Sequence, residues 1–207
     1  MLVQAETYFY EPAKGHGLPH DPFKAIVAPR PIGWISTRDR DGRVNLAPYS
    51  FFNAFGAYPP IVAFGSEGYK DSVRNIEATG EFVTNFVTRP LAEQMNRTSA
   101  PVGPEIDELT LAGLEAAPCR LVAAPRVAAA PAALECKLLQ IIRLHDLEGR
   151  ALENYLTLGQ VVGVHIDPRY LVDGIFDLAA AQPIMRGGYQ ADYAEIGPLF
   201  RMIRPTK

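Results

Sequence analysis

Two strand-like runs joined by a short polar turn constrain the fold of this chain more than any other feature. Residues 32–37 are rich in β-branched and aromatic side chains, and residues 44–55 are again extended in character. Between them stands Asp41-Gly42, a pair that accepts the positive φ angles of a tight turn. The pattern predicts a β-hairpin, and with it antiparallel pairing near the start of the fold.

Further strand-like runs follow along the chain, each bounded by turn residues. They lie at residues 61–64, 82–87, 133–144 and 155–166. Together with the hairpin they make about six strands, and the turn spacing favours antiparallel order. Closing such a sheet into a barrel removes exposed strand edges. We therefore predict a mainly β fold, a six-stranded antiparallel β-barrel decorated by short helices.

Short helices are expected between the strands. Residues 71–80 begin with residues that cap helices, place Val73 and Ile76 three apart, and end on Gly80 where a terminating glycine belongs. Residues 91–97 form a second candidate, and residues 104–114 form either a third helix or a loop.

The other segments have no clear periodicity. Residues 8–31 are expected to form an irregular arm on the body of the protein, and the chain from Pro168 on is expected to wrap its surface. Residues 112–133 are dominated by alanine and proline. Their prolines interrupt any long helix, which predicts a covering loop with one short strand.

Composition excludes several classes of protein. A length of 207 residues, 48% of them hydrophobic, suits one domain with a sizeable core. No apolar run approaches the roughly 18 residues of a membrane span, and residues 1–10 lack the basic start and apolar stretch of a secretory signal. We therefore expect a cytoplasmic protein that does not act on membranes.

Charge and metal-binding residue types give no sign of a nucleic-acid or metal site. The net charge is −3 and the basic residues are scattered, so nucleic acid is not an expected partner. Cys119 and Cys136 are too few for a disulfide framework and are predicted to be ordinary reduced cysteines. The four histidines form no metal-binding spacing.

The chain also lacks the motifs of the common enzyme classes. It contains no glycine-rich dinucleotide fingerprint, no phosphate-binding Walker loop and no nucleophile elbow. Two other groups of residues are candidates for a ligand-binding site.

The first group is residues 45–53, where small residues and a proline stand beside hydroxyl and amide groups. Such a surface suits a flat heteroaromatic ligand, with apolar groups on its face and polar groups at its edge. The alternative is a buried strand whose polar side chains bond to neighbouring loops.

The second group is residues 66–72, which lead from a strand into the first predicted helix. A helix N-terminus offers free N–H donors and partial positive charge, and Lys70 with Ser72 would complete a phosphate site. The alternative is that Asp71 or Ser72 only caps the helix and Lys70 is solvated.

These two groups, with a third motif, occur in the order of a known family. The motifs are PRPIGWIST at residues 29–37, NLAPYSFFN at 45–53 and KDS at 70–72. They resemble the flavin reductase-like, FMN-binding split-barrel proteins, which include reductase components of two-component monooxygenases such as the nitrilotriacetate monooxygenase B component. The resemblance covers about residues 20–190, within a single domain of residues 1–207.

The resemblance implies a homodimeric split barrel with one FMN per subunit near the dimer interface. It places three residues near the ring or ribityl chain: Trp34, Ser36 and Thr37. It places six around the ring: Ala47, Pro48, Tyr49, Ser50, Phe51 and Asn53. It places four at the phosphate-binding turn: Ser66, Lys70, Asp71 and Ser72. Arg186, in the sequence MRGGY, resembles a C-terminal motif that approaches the cofactor.

The chain departs from the family pattern at one point. Shorter flavin reductases carry Gly-Asp-His before the last barrel strand, and the His is associated with nicotinamide binding. Counted from Gly159, this chain has Glu153 and Asn154 where the Asp and His would fall. His165 is a candidate to supply the missing imidazole; the alternative is an ordinary histidine at a strand end.

The implied activity is an NADH- or NADPH-dependent flavin reductase that passes electrons to free flavin, oxygen or a partner oxygenase. Hydride transfer belongs to the cofactor, so no side-chain acid or base is required. Two alternatives remain open: an FMN redox carrier, flavoredoxin-like, that is reduced by another protein, and a flavin-binding protein without redox turnover.

Overall fold

The computed structural model describes residues 7–205. The predicted absence of a secretory signal concerned residues 1–10, most of which lie outside the described residues. Within residues 7–205, no helix combines the length and the apolar character needed to cross a membrane.

The described residues form strands for most of the body, with short helices between them. The strands are β1 (Gly33–Arg38), β2 (Val44–Tyr49), β3 (Phe52–Ala57), β4 (Pro60–Glu67), β5 (Glu81–Asn85), β6 (Ala116–Ala117), β7 (Arg126–Val127), β8 (Ala132–His145), β9 (Ala151–Ile166), β10 (Leu171–Val172), β11 (Ile175–Phe176), β12 (Ile184–Arg186) and β13 (Tyr193–Glu195). The helices are α1 (Phe23–Ile26), α2 (Asp71–Thr79), α3 (Ala92–Arg97), α4 (Glu108–Ala112) and α5 (Leu178–Ala181), and single 3-10 turns lie at Pro12–Lys14, Arg89–Leu91 and Pro168–Tyr170.

The main sheet has seven strands rather than the predicted six, in the order β2-β1-β5-β8-β9-β4-β3 with every neighbouring pair antiparallel. The extra strand arises because residues 44–55 are two strands, separated by a bend at Ser50 and Phe51. Pro48 has no N–H to donate, which suits the edge position of β2.

The bend at Ser50 and Phe51 also explains the shape of the sheet. It connects β2 and β3, which are consecutive in the chain but lie at opposite edges of the sheet. Two edges joined by so short a connection require the sheet to curl until they approach each other. The result is an antiparallel barrel that is split between its two edge strands.

The first predicted helix is confirmed. α2 ends at Gly80, whose φ of 74° is the left-handed conformation that glycine adopts most readily. Val73 and Ile76 are both fully buried and pack with Ile35, Phe64 and other side chains of the sheet. α3 confirms the second predicted helix, and α4 shows that part of residues 104–114 is helical. The arm before β1 contains α1, which is too short to leave a periodic signal.

The alanine- and proline-rich segment is a covering loop as predicted, although it contains two short paired strands, β6 and β7, rather than one. Buried side chains of the sheet hold it in place. Glu135 on β8 accepts hydrogen bonds from the backbone N–H groups of Arg120, Leu121 and Val122, at 2.9, 2.6 and 3.0 Å. Asn85 on β5 accepts another from the N–H of Val127 at 2.8 Å.

Both cysteines are free thiols, as predicted. Burial raises the pKa of Cys136 to about 12 and that of Cys119 to about 11. Neither thiol is therefore activated as a nucleophile near neutral pH.

Glycine is required at position 159 on β9, because the backbone there lies close to buried side chains inside the barrel. A Cβ atom there would lie 2.5 Å from ring atoms of Phe82 and 3.2 Å from the Cβ of Cys136, and both side chains are fully buried. Gly159→Ala is expected to lower the free energy of unfolding by about 2 kcal/mol, measured by urea denaturation, because the core must shift to admit the methyl group. Gly197→Ala is the control, since a Cβ there meets open space. Equal stability of the two variants would contradict this packing.

Candidate functional site

A cavity of about 500 Å³ opens beside the edge strand β2. Its wall consists of Asn45, residues 47–51, Gly65 with Glu67 on β4, and residues 70–72 at the start of α2. Residues 98–102 after α3 close another side, and Lys24 and Glu108 complete it. The cavity therefore brings together the two groups of residues that the sequence analysis singled out.

The N-terminus of α2 borders this cavity. The residue that precedes the helix is Lys70, in extended conformation, and no side chain within residues 7–205 caps the helix. The carboxylate of Asp71 instead pairs with Arg74 one turn further on. Neither Asp71 nor Ser72 caps the helix, whereas Lys70 is exposed, as the alternative expected. The first-turn N–H groups remain available to an anion.

Ser72 and Asn45 form the buried floor near the helix start. Ser72 is 1% exposed, and its Oγ accepts a hydrogen bond from Nδ2 of Asn45 at 2.9 Å. Tyr49 lies beside them with its ring 4.6 Å from that of Phe64. Burial raises the pKa of Tyr49, against hydrogen bonds with Ser72 and Ser66 that lower it, so the phenol stays neutral. These groups offer neutral hydrogen-bond partners rather than charge.

The charged side chains of the cavity differ in depth. Lys24 is about half exposed and lies 3.6 Å from the equally exposed Glu67, and Lys70 is also exposed. Glu108 on α4 is only 6% exposed. Burial raises the pKa of Glu108, although a hydrogen bond from the backbone of Leu46 works against this shift. The positive groups thus lie at the rim and an acidic group lies inside.

A second, mostly apolar cavity of about 650 Å³ adjoins the first and shares Ser50, Phe51 and Gly65 with it. Phe51 is the side chain between the two, with Nζ of Lys24 5.6 Å and the guanidinium carbon of Arg30 5.9 Å from its ring centroid. Three residues named in the sequence analysis line this cavity and not the first: Asn53, Ser66 and Asn154.

Three predicted residues are buried on β1 and do not line the cavity, with Trp34 and Ser36 on one face of the strand and Thr37 on the other. Trp34, Ser36 and Thr37 are fully buried. Trp34 donates from Nε1 to Oγ1 of Thr98 at 2.9 Å, and Thr98 lines the cavity. Ser36 donates to the carbonyl of Pro125 at 2.5 Å, and Thr37 accepts from Asn75 at 3.1 Å. Their side chains can support a ligand only through such neighbours.

Arg186 does not line the cavity beside β2. Its side chain lines a third cavity and stacks on Tyr193, 4.7 Å from the ring centroid. Its backbone pairs with that of Arg30 through N–H···O bonds of 3.0 and 2.9 Å. Arg30 in turn lies over the ring of Phe51, which lines the cavity beside β2. Arg186 is therefore connected to that cavity indirectly, through Arg30.

His165 also lies apart from both cavities beside Phe51. Its Nε2 is 2.6 Å from Oε1 of Glu135, and Cys119 contributes a third potential metal ligand within 4.8 Å of these atoms. The Glu135 carboxylate is already held by three backbone N–H groups. These contacts favour the alternative in which His165 has a structural role at the strand end.

Several cavity residues carry no local sequence signal. Lys24 belongs to the arm, residues 98–102 follow α3, and Glu108 opens α4. Helices α3 and α4 bring their residues to the cavity by packing on β2, while Lys24 lies over the Phe51 ring. Together with the predicted residues they form a site that can hold an anion at the rim and a flat, partly polar body along β2.

Comparison with known proteins agrees with this geometry. The family model described as flavin reductase like domain matches residues 27–174. An uncharacterized protein of Halalkalibacterium halodurans is 34% identical over 185 residues, which cover 87% of this chain and 88% of the relative.

Solved structures show the same fold. Nitrilotriacetate monooxygenase component B from Bacillus cereus superposes with a TM-score of 0.86 at 27% identity, covering 95% of this chain and 99% of that one. The 2-nitrobenzoate 2-nitroreductase of Pseudomonas fluorescens superposes with a TM-score of 0.78 at 28% identity, covering 89% of each chain.

Proposed function

The chain belongs to the flavin reductase-like domain family, and from that premise we propose that it binds FMN beside β2 and transfers electrons from NADH or NADPH to an acceptor. The observation that carries the proposal is the uncapped N-terminus of α2, which opens into a cavity bordered by an edge strand.

The residues around the cavity fit FMN. The free N–H groups at the start of α2, with Lys70 and Ser72, would hold the phosphate. The ring would be bordered by Ala47, Pro48, Tyr49, Ser50 and Phe51, which line the cavity. Because β2 has no neighbouring strand on its outer side, its outward carbonyl groups can meet the polar edge of a ligand, while the outward N–H of Leu46 is bonded to Glu108.

Bound FMN would supply the redox chemistry, as acceptor of a hydride and donor of electrons. The protein would bind and orient its substrates. The apolar cavity beyond Phe51 is where we place the nicotinamide or the electron acceptor, since it adjoins the cofactor cavity directly. Asn53 and Ser66 would offer polar groups there, and Arg186 would act through its backbone pairing with Arg30.

One observation favours a second candidate function, an FMN redox carrier without its own nicotinamide activity. Asn154 stands where shorter flavin reductases have a nicotinamide-associated His, and it lines the apolar cavity. An amide cannot replace the charge or the proton transfer of an imidazole. Under either function we propose a cytoplasmic, single-domain homodimer, with a partner oxygenase as one acceptor.

Anaerobic mixing of the FMN-loaded protein with NADH, and separately with NADPH, tests the choice between these functions. We expect loss of the oxidised flavin absorbance with at least one nicotinamide, faster than for free FMN at the same concentration. A flavin that both nicotinamides leave oxidised, and that dithionite reduces, would contradict the reductase. Rapid reduction by a protein donor would then select the carrier over a flavin-binding protein without redox turnover.

A further inference from the structure

Glu108 is a buried acidic residue in the wall of the proposed cofactor cavity. It is 94% buried, at the first position of α4. Its Oε2 accepts a hydrogen bond from the backbone N–H of Leu46 at 3.0 Å. This contact orients the carboxyl group toward β2.

The other carboxylates of the cavity have cationic partners, and Glu108 does not. Asp71 pairs with Arg74, and Glu67 lies 3.6 Å from Lys24. For Glu108, residues 7–205 provide no ion pair within 4.0 Å.

The Glu108 carboxylate therefore has hydrogen-bond acceptor capacity that it does not use. A carboxylate can accept about four hydrogen bonds, and a buried one without them is costly. One backbone donor satisfies only part of that capacity. Glu108 also lines a small neighbouring cavity with Arg43 and Arg74, neither of which pairs with it within 4.0 Å. The unused capacity is therefore open to water or to donor groups of a ligand.

The depth of the charges indicates which part of the ligand meets Glu108. Lys24 and Lys70 lie at the exposed rim, while Glu108 lies inside. An anionic phosphate is attracted to the rim and repelled from the interior carboxylate. A neutral segment that carries hydroxyl donors suits the interior.

Resting on the proposed binding of FMN, we propose that Glu108 accepts hydrogen bonds from the hydroxyl groups of the ribityl chain and so selects flavins that carry this chain. The contact places the polyol between the phosphate at α2 and the ring along β2. Glu108 is then a specificity-determining binding residue, with no role in electron transfer.

Three flavins separate this role from its rivals: FMN, riboflavin, which lacks the phosphate, and lumiflavin, which lacks the ribityl chain. We expect Glu108→Ala to weaken FMN and riboflavin binding equally, by about 10-fold, because a hydrogen bond to a charged acceptor is lost. Lumiflavin binding should not change. Glu108→Gln keeps an acceptor oxygen for Leu46 and for one hydroxyl, and should lose less than Glu108→Ala.

Glu105→Ala is the matched control, since Glu105 is an exposed carboxylate three residues earlier and does not line the cavity. Thermal unfolding of each flavin-free variant checks the fold, and Glu108→Gln keeps the test valid if Glu108→Ala is unstable. Equal losses for all three flavins, or a change for FMN alone, would overturn the ribityl contact. Failure of the unaltered protein to bind any flavin would instead overturn the proposed function, and this inference with it.

Discussion

Replacing Glu135 with alanine is expected to lower the free energy of unfolding by about 3 kcal/mol, because each buried donor that loses its acceptor costs about 1–3 kcal/mol. The Glu135 carboxylate holds three backbone N–H groups of the alanine- and proline-rich segment and lies 2.6 Å from Nε2 of His165. Without it, the three donors lose their acceptor, that of Val122 in a buried position, and the segment loses this attachment to the sheet. Chemical denaturation measures the change.

Glu148→Ala is the control for this prediction, because Glu148 is an exposed carboxylate in the turn before β9. Its removal should change stability by no more than about 0.5 kcal/mol. A Glu135 variant as stable as the Glu148 variant would show that the segment is held by other contacts.

The same carboxylate predicts an acid dependence of stability. Burial alone would raise the pKa of Glu135, but hydrogen bonds from Arg120, Leu121 and His165 outweigh it and lower the pKa below its usual value. A group with a lowered folded-state pKa stabilises the fold above its unfolded pKa of about 4.3, and this contribution disappears as the pH falls through the folded pKa. The stability difference between the unaltered protein and Glu135→Gln should therefore shrink below about pH 4. A difference that stays constant from pH 7 to pH 3 would contradict it.

Replacing Lys70 with alanine is expected to weaken FMN binding by roughly 10- to 100-fold and to leave riboflavin binding unchanged. Lys70 precedes the free N–H groups of α2, and only FMN brings a phosphate to this end of the cavity. The difference between the two ligands isolates the charge, because they share the ring and the ribityl chain. Fluorescence titration of the flavin-free protein measures both affinities.

Lys137→Ala is the matched control, since Lys137 is a partly exposed lysine that pairs with Glu81 and does not line the cavity. It should leave both affinities unchanged. Equal weakening of FMN and riboflavin by Lys70→Ala would mean that Lys70 supports the shape of the site and does not bind the phosphate.

Local signals predicted the parts of the fold that depend on neighbouring residues. The glycine signal at residue 80 predicted the end of α2 correctly, since it acts within one turn of the helix. The cap residues marked the start of the helix although neither Asp71 nor Ser72 caps it. The division of residues 44–55 into two strands could not be predicted in the same way. Both halves have strand character, and only the closing of the sheet decides that they lie at opposite edges.

The candidate site also contains residues that local sequence signals could not predict. The motif at residues 45–53 and the turn at residues 66–72 do meet in one cavity, but Glu108 and Lys24 reach it from distant segments. Trp34 illustrates the reverse case. Its motif is part of the family pattern, yet its side chain is fully buried and reaches the cavity only through Thr98. Sequence order alone carries no information on such packing.

Titration of the flavin-free protein with FMN tests the central claim most directly. We predict saturation at one FMN per chain, with riboflavin bound more weakly because it lacks the phosphate that α2 and Lys70 would hold. Absence of saturable FMN binding, or affinities for FMN and riboflavin that do not differ, would contradict the assignment of this cavity to FMN.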